Sequence, residues 1–331
     1  YLLKVSEEVE VIFLYKQIRQ EEPDYVSNKK NISVIYWTDY NTPYSLLKEV
    51  KPDSVVFADL ESFNQIALNI AARNKGITTF VLQHGIRGEY EVDEALTVSY
   101  ESKVHFSNTS AWTFRFLFRS LRLKNLWQLP KFLKFVYSRK KNDLTTALFN
   151  NQFELRRADY YIEFSEKNAS YHKKRDGVPD DRFIIVGNPL FDHLFDYLNR
   201  NSTDYNQGNY CLLIDCPFLE TVFYKAHNIG PVEKIEYLKK LNEWANTNGF
   251  ILKVKLHPLS YESKNLYFHD SIEYLKNVDL KETIGAAAAI FFVHFSSITP
   301  VVLPFKPSVY FHSSLETHRT EFEKVGLQPV S

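Results

Sequence analysis

The sequence predicts an α/β protein built from two parallel-sheet domains. Three observations carry that expectation. The chain has 331 residues, which is about two domains at roughly 150 residues each. Short β-branched or aromatic runs alternate with helical stretches, the pattern of βαβ units. One polar stretch interrupts the alternation, and the alternation then restarts.

The elements follow in order. Val9–Tyr15 and Ile32–Tyr36 are apolar runs. Ser54–Phe57 follows the turn signal Lys51-Pro52-Asp53. Glu61–Arg73 carries Phe63, Ile66, Ala67, Ile70 and Ala71 at helical spacing, Gly76 closes it, and Thr78–Leu82 is the next strand. Strand, helix and strand at this length predict a parallel sheet. Asp159–Phe164 and Phe183–Val186 read as further buried strands. Asn199–Gly208 is filled by Asn, Ser, Thr, Asp, Gln and Gly and reads as a linker. The expected domains are therefore 1–198 and 199–331. Beyond the linker, Tyr210–Asp215, Phe250–Leu256, Ala289–Val293 and Ser308–Phe311 read as strands. Pro231–Asn246 is an amphipathic helix and Leu280–Ala287 a short one.

Composition narrows the class. The chain is 44% hydrophobic and 24% charged, an ordinary globular balance. Lys plus Arg and Asp plus Glu both number 40. Zero net charge argues against a general polyanion binder and leaves local patches open. Cys211 and Cys216 make no disulfide framework and read as buried thiols of a reducing compartment. No run of eighteen apolar residues occurs, so no membrane-spanning helix is expected. Tyr1-Leu2-Leu3-Lys4 does not read as a secretory signal.

Four segments fall where predicted strands end, and ligands of open α/β sheets bind at the carboxyl ends of strands. Gln83-His84-Gly85 places an imidazole there, with an ordinary pKa suited to a general base. Lys255-Leu256-His257-Pro258 puts Lys255 and His257 on one face by strand alternation, with the ring held at a turn. In His294-Phe295-Ser296-Ser297-Ile298-Thr299-Pro300, the hydroxyls of Ser296, Ser297 and Thr299 suit a phosphate. A helix opening there would be capped by Ser296 or Ser297, with Pro300 in its first turn. Gly187-Asn188-Pro189 is a turn first, and Asn188 is its candidate ligand contact. Each segment also has a plain reading, as a structural turn or a helix cap. Walker A, Gly-x-Gly-x-x-Gly, Gly-x-Ser-x-Gly and Asp-x-Asp patterns are absent, and the histidines lack zinc-like spacing. A metal-free and cofactor-free chemistry is the expectation.

Between Ala111 and Lys141 the chain has nine Lys or Arg and no acidic residue. Arg115, Arg119, Arg122, Lys131 and Lys134 are among them, and Trp112, Phe114, Phe116, Phe118, Trp127, Phe132, Phe135 and Tyr137 interleave. Such a stretch suits a membrane surface or a charged glycan, and its plain alternatives are a solvated face and a nucleic-acid patch.

Together these residues resemble nucleotide-sugar-dependent transferases of the GT-B fold. The stretch from Val278-Asp279-Leu280 through Ser296-Ser297 to Lys306-Pro307 looks like the C-terminal half of CDP-glycerol glycerophosphotransferases. Lys255-Leu256-His257-Pro258 matches their His-Pro element, and Gln83-His84-Gly85 is similar to their N-terminal His-Gly. The His-Pro and Ser-Ser pair is also similar to bacterial sialyl-, polysialyl- and β-Kdo transferases. Gly187-Asn188-Pro189 with Asp192 looks like an element of UDP-N-acetylglucosamine 2-epimerases. There are departures. Ser297-Ile298 stands where the epimerases carry Gly-Gly after the Ser. His294-Phe295 stands where the glycerophosphotransferases carry Thr-Asp. The sialyltransferases place an acidic residue where this chain has His84, so Glu89 or Glu91 is the alternative base.

The resemblance implies two Rossmann-like domains facing across a cleft. It implies transfer of a sugar from a nucleotide donor, with a cytidine nucleotide favoured, to a hydroxyl of a surface-glycan acceptor. Lys255, His257, Ser296, Ser297, Thr299 and Asn188 would hold the donor, and His84 would be the base. The basic stretch would hold a cytoplasmic enzyme at the inner face of the cell membrane. No nucleic-acid partner is expected. The alternatives are a glycerol- or ribitol-phosphate transferase, a UDP-sugar 2-epimerase and a non-catalytic glycan-binding relative.

Overall fold

The computed structural model describes residues 8–15, 31–83, 111–142, 144–201, 208–215, 230–257, 260–261, 267–292 and 298–310. They form two compact units that divide between Gly187 and Asn188. The sequence-based boundary at 198/199 lies one helix downstream of this division. The helix Pro189–Arg200 bears Leu194 and Leu198, which are buried in the core of the second unit. Asn188-Pro189 starts that helix, and the polar linker signal follows it.

The first unit holds β1 (Val11–Tyr15) and β2 (Ile32–Tyr36), which pair in parallel. A second sheet runs in the order β3 (Ser54–Phe57), β4 (Thr78–Leu82), β5 (Tyr160–Glu163) and β6 (Phe183–Ile185), all parallel. The helix Phe63–Asn74 crosses from β3 to β4. Ser62 caps it: its hydroxyl accepts from the Gln65 N–H at 3.3 Å, and the Gln65 side chain accepts from the Ser62 N–H at 2.9 Å. Ile66, Ala67, Ile70 and Ala71 of this helix are buried against Phe57, Val81 and the helices Ala111–Phe118 and Leu129–Lys141. Arg73 then closes the amino-terminal edge of the sheet. Its guanidinium bonds Asp159 at 2.9 Å and Glu154 at 3.0 Å, and Asp159 in turn accepts from the Thr79 N–H.

The second unit is one five-stranded parallel sheet in the order β11-β10-β7-β8-β9. These strands are β7 (Tyr210–Ile214), β8 (Ile251–Lys255), β9 (Ile272–Leu275), β10 (Ala289–Phe292) and β11 (Ser308–Tyr310). Counted from β7, the spatial order is 3-2-1-4-5, that of a Rossmann sheet. Both faces are covered. Leu238, Leu241 and Ala245 of the helix Pro231–Thr247 pack on Cys211, Leu213, Leu252 and Val254. Leu194, Leu198, Ile284, Val301 and Val302 pack on Tyr210, Leu212, Ile290 and Phe292 from the other side. The expected α/β class with two parallel-sheet units is therefore what the chain adopts. Cys211 is buried as expected, and Cys216 lies outside the described residues.

Lys306 locks the entry to β10. Its side chain is buried, and Nζ donates to the carbonyls of Gly285 at 2.7 Å and Ala287 at 2.6 Å, where the helix Leu280–Ala286 ends. These carbonyls are ones that a helix end leaves without an intrahelical partner. Burial pulls the Lys306 pKa from 10.5 down to about 8. Between those values the unfolded chain holds a proton that the folded chain has released, so this group adds stability as pH rises through that window. The stability difference between wild type and Lys306→Met, from urea titrations at pH 7.5 to about 10, should therefore widen in favour of wild type. A pH-independent difference would refute the depressed pKa.

Candidate active site

Parallel pairing brings the carboxyl ends of the strands in each sheet to one edge, the edge at which open α/β sheets bind ligands. In the second unit Ile214 lies opposite Lys255 on one side and Phe292 on the other. The carboxyl ends of β7, β8 and β10 are thus adjacent. The chain proceeds from β7 to β8 and β9, then returns to β10 on the far side of β7. Its switch point lies between β7 and β10, the place where such sheets bind ligands.

Asp215 follows β7 directly at that switch point. Its backbone N–H donates to the Lys255 carbonyl at 3.1 Å. Its carboxylate pairs with Lys234 Nζ at 3.1 Å, and both side chains are 1% exposed. Burial first, and then the Asp215 carboxylate, push the Tyr274 hydroxyl above its ordinary range.

Lys255 and His257 lie on the same side of β8 by alternation with buried Leu252, Val254 and Leu256. The Lys255 amine is half-buried and donates to the Leu256 carbonyl at 2.8 Å. Burial lowers its pKa. The His257 side chain is exposed, and its carbonyl accepts from the buried Ser260 N–H at 2.8 Å. Ser296 and Ser297 lie outside the described residues. The helix after them is short, Thr299–Val302, and its N-cap is Ile298 with no side-chain cap bond. Pro300 sits in its first turn as expected, but a Ser N-cap is corrected: the N-cap, Ile298, lies one residue beyond Ser297 and two beyond Ser296. Thr299 is fully buried.

In the first unit the chain leaves β4 through Gln83, which is buried. Its N–H donates to the Ile162 carbonyl at 3.0 Å, and its side-chain oxygen accepts from the Phe164 N–H at 2.7 Å. Gln83 thus staples the ends of β4 and β5 together. His84 lies outside the described residues, immediately beyond this staple. Asn188 is buried, and its carbonyl accepts from the Phe191 N–H at 2.9 Å in the opening turn of Pro189–Arg200. Gly187 before it has φ +73°, a backbone conformation that glycine adopts without strain.

Beside Gln83, the end of β5 carries a buried charge row that the motif reading passed over. Glu163 is wholly buried, and His172 Nε2 lies 3.4 Å from its carboxylate. His172 Nδ1 is 2.6 Å from Asp176, which also pairs with Arg156 at 2.8 Å and Arg175 at 2.9 Å. Burial raises the Asp176 pKa, but the two guanidinium groups and His172 outweigh it and hold the carboxyl well below the carboxylate range. Arg175 reaches on to Glu61 and to the Tyr171 hydroxyl. The sequence did carry one signal for this row: a Glu inside the apolar run 159–164. Asp215 had the same kind of signal, an acid closing the apolar run from Tyr210.

Arg115, Arg119, Arg122, Lys131 and Lys134 are all exposed. A cavity of about 490 Å³, lined by Arg73, Asn74, Thr78, Lys124, Trp127 and Tyr160, opens at the amino-terminal edge of the first sheet. It is thus removed from the strand ends that carry Gln83 and Glu163. Among the described residues no three His, Cys, Asp or Glu side chains converge on a metal position.

No family model matches the chain, and no curated protein matches it. Among solved structures, the spinosyn forosaminyltransferase SpnP aligns at a TM-score of 0.45 with 11% identity, over 98% of this chain and 78% of that one. The wall teichoic acid polymerase TagF aligns at 0.39 with 13% identity, over 94% and 73%. A UDP-N-acetylglucosamine 2-epimerase aligns at 0.31 with 12% identity, over 84% and 82%. At these values the likenesses assign no family, and the site rests on its own geometry.

The Asp215–Lys234 pair yields a direct test. Asp215→Ala strands a buried ammonium and should cost about 3–5 kcal/mol in urea unfolding, whereas Asp215→Leu with Lys234→Met should recover most of that. A double variant no more stable than the single would show that the pair is not what holds this strand end.

Proposed function

We propose that the chain is a nucleotide-sugar-dependent glycosyltransferase of the GT-B type. The supporting observation is the 3-2-1-4-5 sheet of the second unit, with Lys255 and His257 next to its β7/β10 switch point. The segment 293–297, with Ser296 and Ser297, leaves β10 at that same point. The motif resemblance in both halves of the chain adds to this. In this reading the second unit binds the nucleotide donor, a cytidine nucleotide being favoured. Lys255, the His257 ring N–H, the Ser296 and Ser297 hydroxyls, Thr299 and Asn188 serve the donor end.

The reaction is a displacement. An acceptor hydroxyl oxygen attacks the anomeric carbon, and the bond from that carbon to the phosphate oxygen breaks. His84 takes the hydroxyl proton, and the phosphate leaves with its negative charge met by His257, Lys255 and the hydroxyls. No metal is needed for that charge, because fixed donors supply its stabilisation. The acceptor in this reading is a surface glycan made at the inner face of the cell membrane.

Two outcomes test the donor site. In a thermal-shift panel of CMP, CDP, UDP, GDP and ADP, the cognate nucleotide at about 100 times its dissociation constant should add roughly 2.7 kcal/mol of stability. His257→Ala should weaken that nucleotide by about 1.5–3 kcal/mol without loss of fold, since its side chain is exposed. Unchanged affinity removes His257 from the site. Products separate the rival chemistry: a phosphodiester linkage identifies a glycerol- or ribitol-phosphate transferase, and a glycosidic one the proposed enzyme.

The base is tested separately. His84→Ala should lower turnover per folded molecule by about 10²–10⁴-fold with nucleotide affinity nearly unchanged. Wild-type turnover should rise with pH through an apparent pKa near 6.5. Full activity in the variant would move the role to Glu89 or Glu91.

A further inference from the structure

The segment from Ala111 to Lys141 has two faces with different chemistry. Phe116, Leu117, Phe132 and Phe135 are fully buried and tie it to the first unit's core. Phe116 stacks on Trp112 at 4.8 Å, and Phe132 and Phe135 meet Phe153. With Trp112 and Phe114, which pack on the same core partly buried, five of the segment's eight aromatics are structural. Phe118, Trp127 and Tyr137 are exposed. Leu123 is 86% exposed, Trp127 74% and Leu126 49%. These three sit on one short 3₁₀ helix, Leu123–Gln128, in which residues three apart eclipse. The indole N–H of Trp127 has no partner among the described residues.

The helix Leu129–Lys141 continues the surface. Leu133 and Tyr137 are exposed, four residues apart on its solvent side, with Lys134 and Lys141 beside them. Arg119 and Arg122 are tethered rather than free, through the Asn41 carbonyl at 3.3 Å and the Tyr44 ring at 3.9 Å. Arg115, Lys131, Lys134 and Lys140 have no polar partner among the described residues. Two carboxylates, Glu154 and Asp159, line the same cavity as Lys124 and Trp127. Both are already engaged: Arg73 holds each, and Arg157 and Arg182 also hold Glu154. The surface is therefore cationic, apolar at its tip, and unopposed by acids of its own segment.

We propose that this surface docks on an anionic lipid bilayer, with Leu123, Leu126 and Trp127 entering the headgroup region and the flanking Lys and Arg over the phosphates. A row of exposed large apolar side chains is costly in water and is stabilised at the acyl boundary, where an indole places its N–H among headgroups. A nucleic acid would complement the charge but leave Leu123 and Leu126 without an apolar partner. The membrane thus accounts for both halves of the surface. The proposal is independent of the transferase reading, because binding is measured without donor or acceptor.

Full-length protein should co-sediment with vesicles of phosphatidylglycerol and phosphatidylcholine at low salt, and not with phosphatidylcholine alone. Trp127 emission should shift to the blue, and that shift should disappear in Trp127→Phe. Lys131→Gln with Lys134→Gln should weaken binding by about fivefold per cation, and added salt should do the same. Leu123→Ser with Trp127→Ser should abolish most binding without changing thermal stability, since both side chains are exposed. Equal binding to neutral and anionic vesicles overturns the proposal. So does a serine variant that binds as wild type. Retention on a homopolymeric RNA with no vesicle binding would assign the surface to nucleic acid instead.

Discussion

Within each sheet every strand runs parallel to its neighbours, and the rest of the molecule depends on that constraint. A parallel sheet cannot be closed by hairpins, so each connection must cross a face, usually as a helix. That requirement puts Pro231–Thr247 on one face of the second sheet and Leu280–Ala286 on the other, where Pro189–Arg200 also packs. It also collects all the segments leaving the strands on one edge. Asp215, Lys255 and His257 come together although distant in sequence, because β7 and β8 pair in register. The register is itself fixed by burial. Cys211, Leu213, Leu252 and Val254 share one core, and a slip of one residue would turn them all to the opposite face.

The two edges of each sheet are treated differently. At the amino-terminal edges, cations are spent on structure. Arg73, Arg157 and Arg182 gather around Glu154 below the first sheet, and Lys306 holds two carbonyls below the second. At the carboxyl edges the charges are of another kind. Glu163 and Asp215 are acids buried directly at strand ends, each with a basic side chain against it. Acids so deeply buried, even when a basic group pairs them as Lys234 pairs Asp215, are poor sources of stability compared with apolar packing. Their position, where ligands bind in open sheets, is better explained by a fixed local field than by a contribution to folding.

Much of this was legible in the sequence. The strands near Ser54, Thr78, Tyr210, Ile251 and Ala289 are β-branched or aromatic runs bounded by polar signals, and they form where the pattern puts them. The boundary between units was less legible because its strongest signal, the polar run 199–208, follows a helix rather than a strand. Pro189 reads as a breaker, yet the first helical turn is the one place where proline is favoured. The strand Ile272–Leu275 was missed: it has four residues, Ile272 is its buried one, and Glu273 interrupts its apolar run. Buried ion pairs were missed for a related reason. Lys234 lies on a helix whose other charged residues are exposed, and only the packing of that helix over β7 turns it inward to Asp215.

The aromatic residues of 111–141 show the same limit from the other side. In sequence, Phe116, Phe118, Trp127, Phe132 and Tyr137 look alike. In the fold, Phe116 and Phe132 are core, while Phe118, Trp127 and Tyr137 face water. Composition therefore overstates the apolar surface of this segment. It leaves the charge correct, because Arg115, Arg119, Arg122, Lys131 and Lys134 all remain outside. Core packing of five of its eight aromatics, Trp112, Phe114, Phe116, Phe132 and Phe135, makes the segment part of the first unit. A surface anchored in that way can hold its cations and its exposed Leu and Trp at fixed positions, which a tail of the same composition could not do without losing conformational entropy on binding.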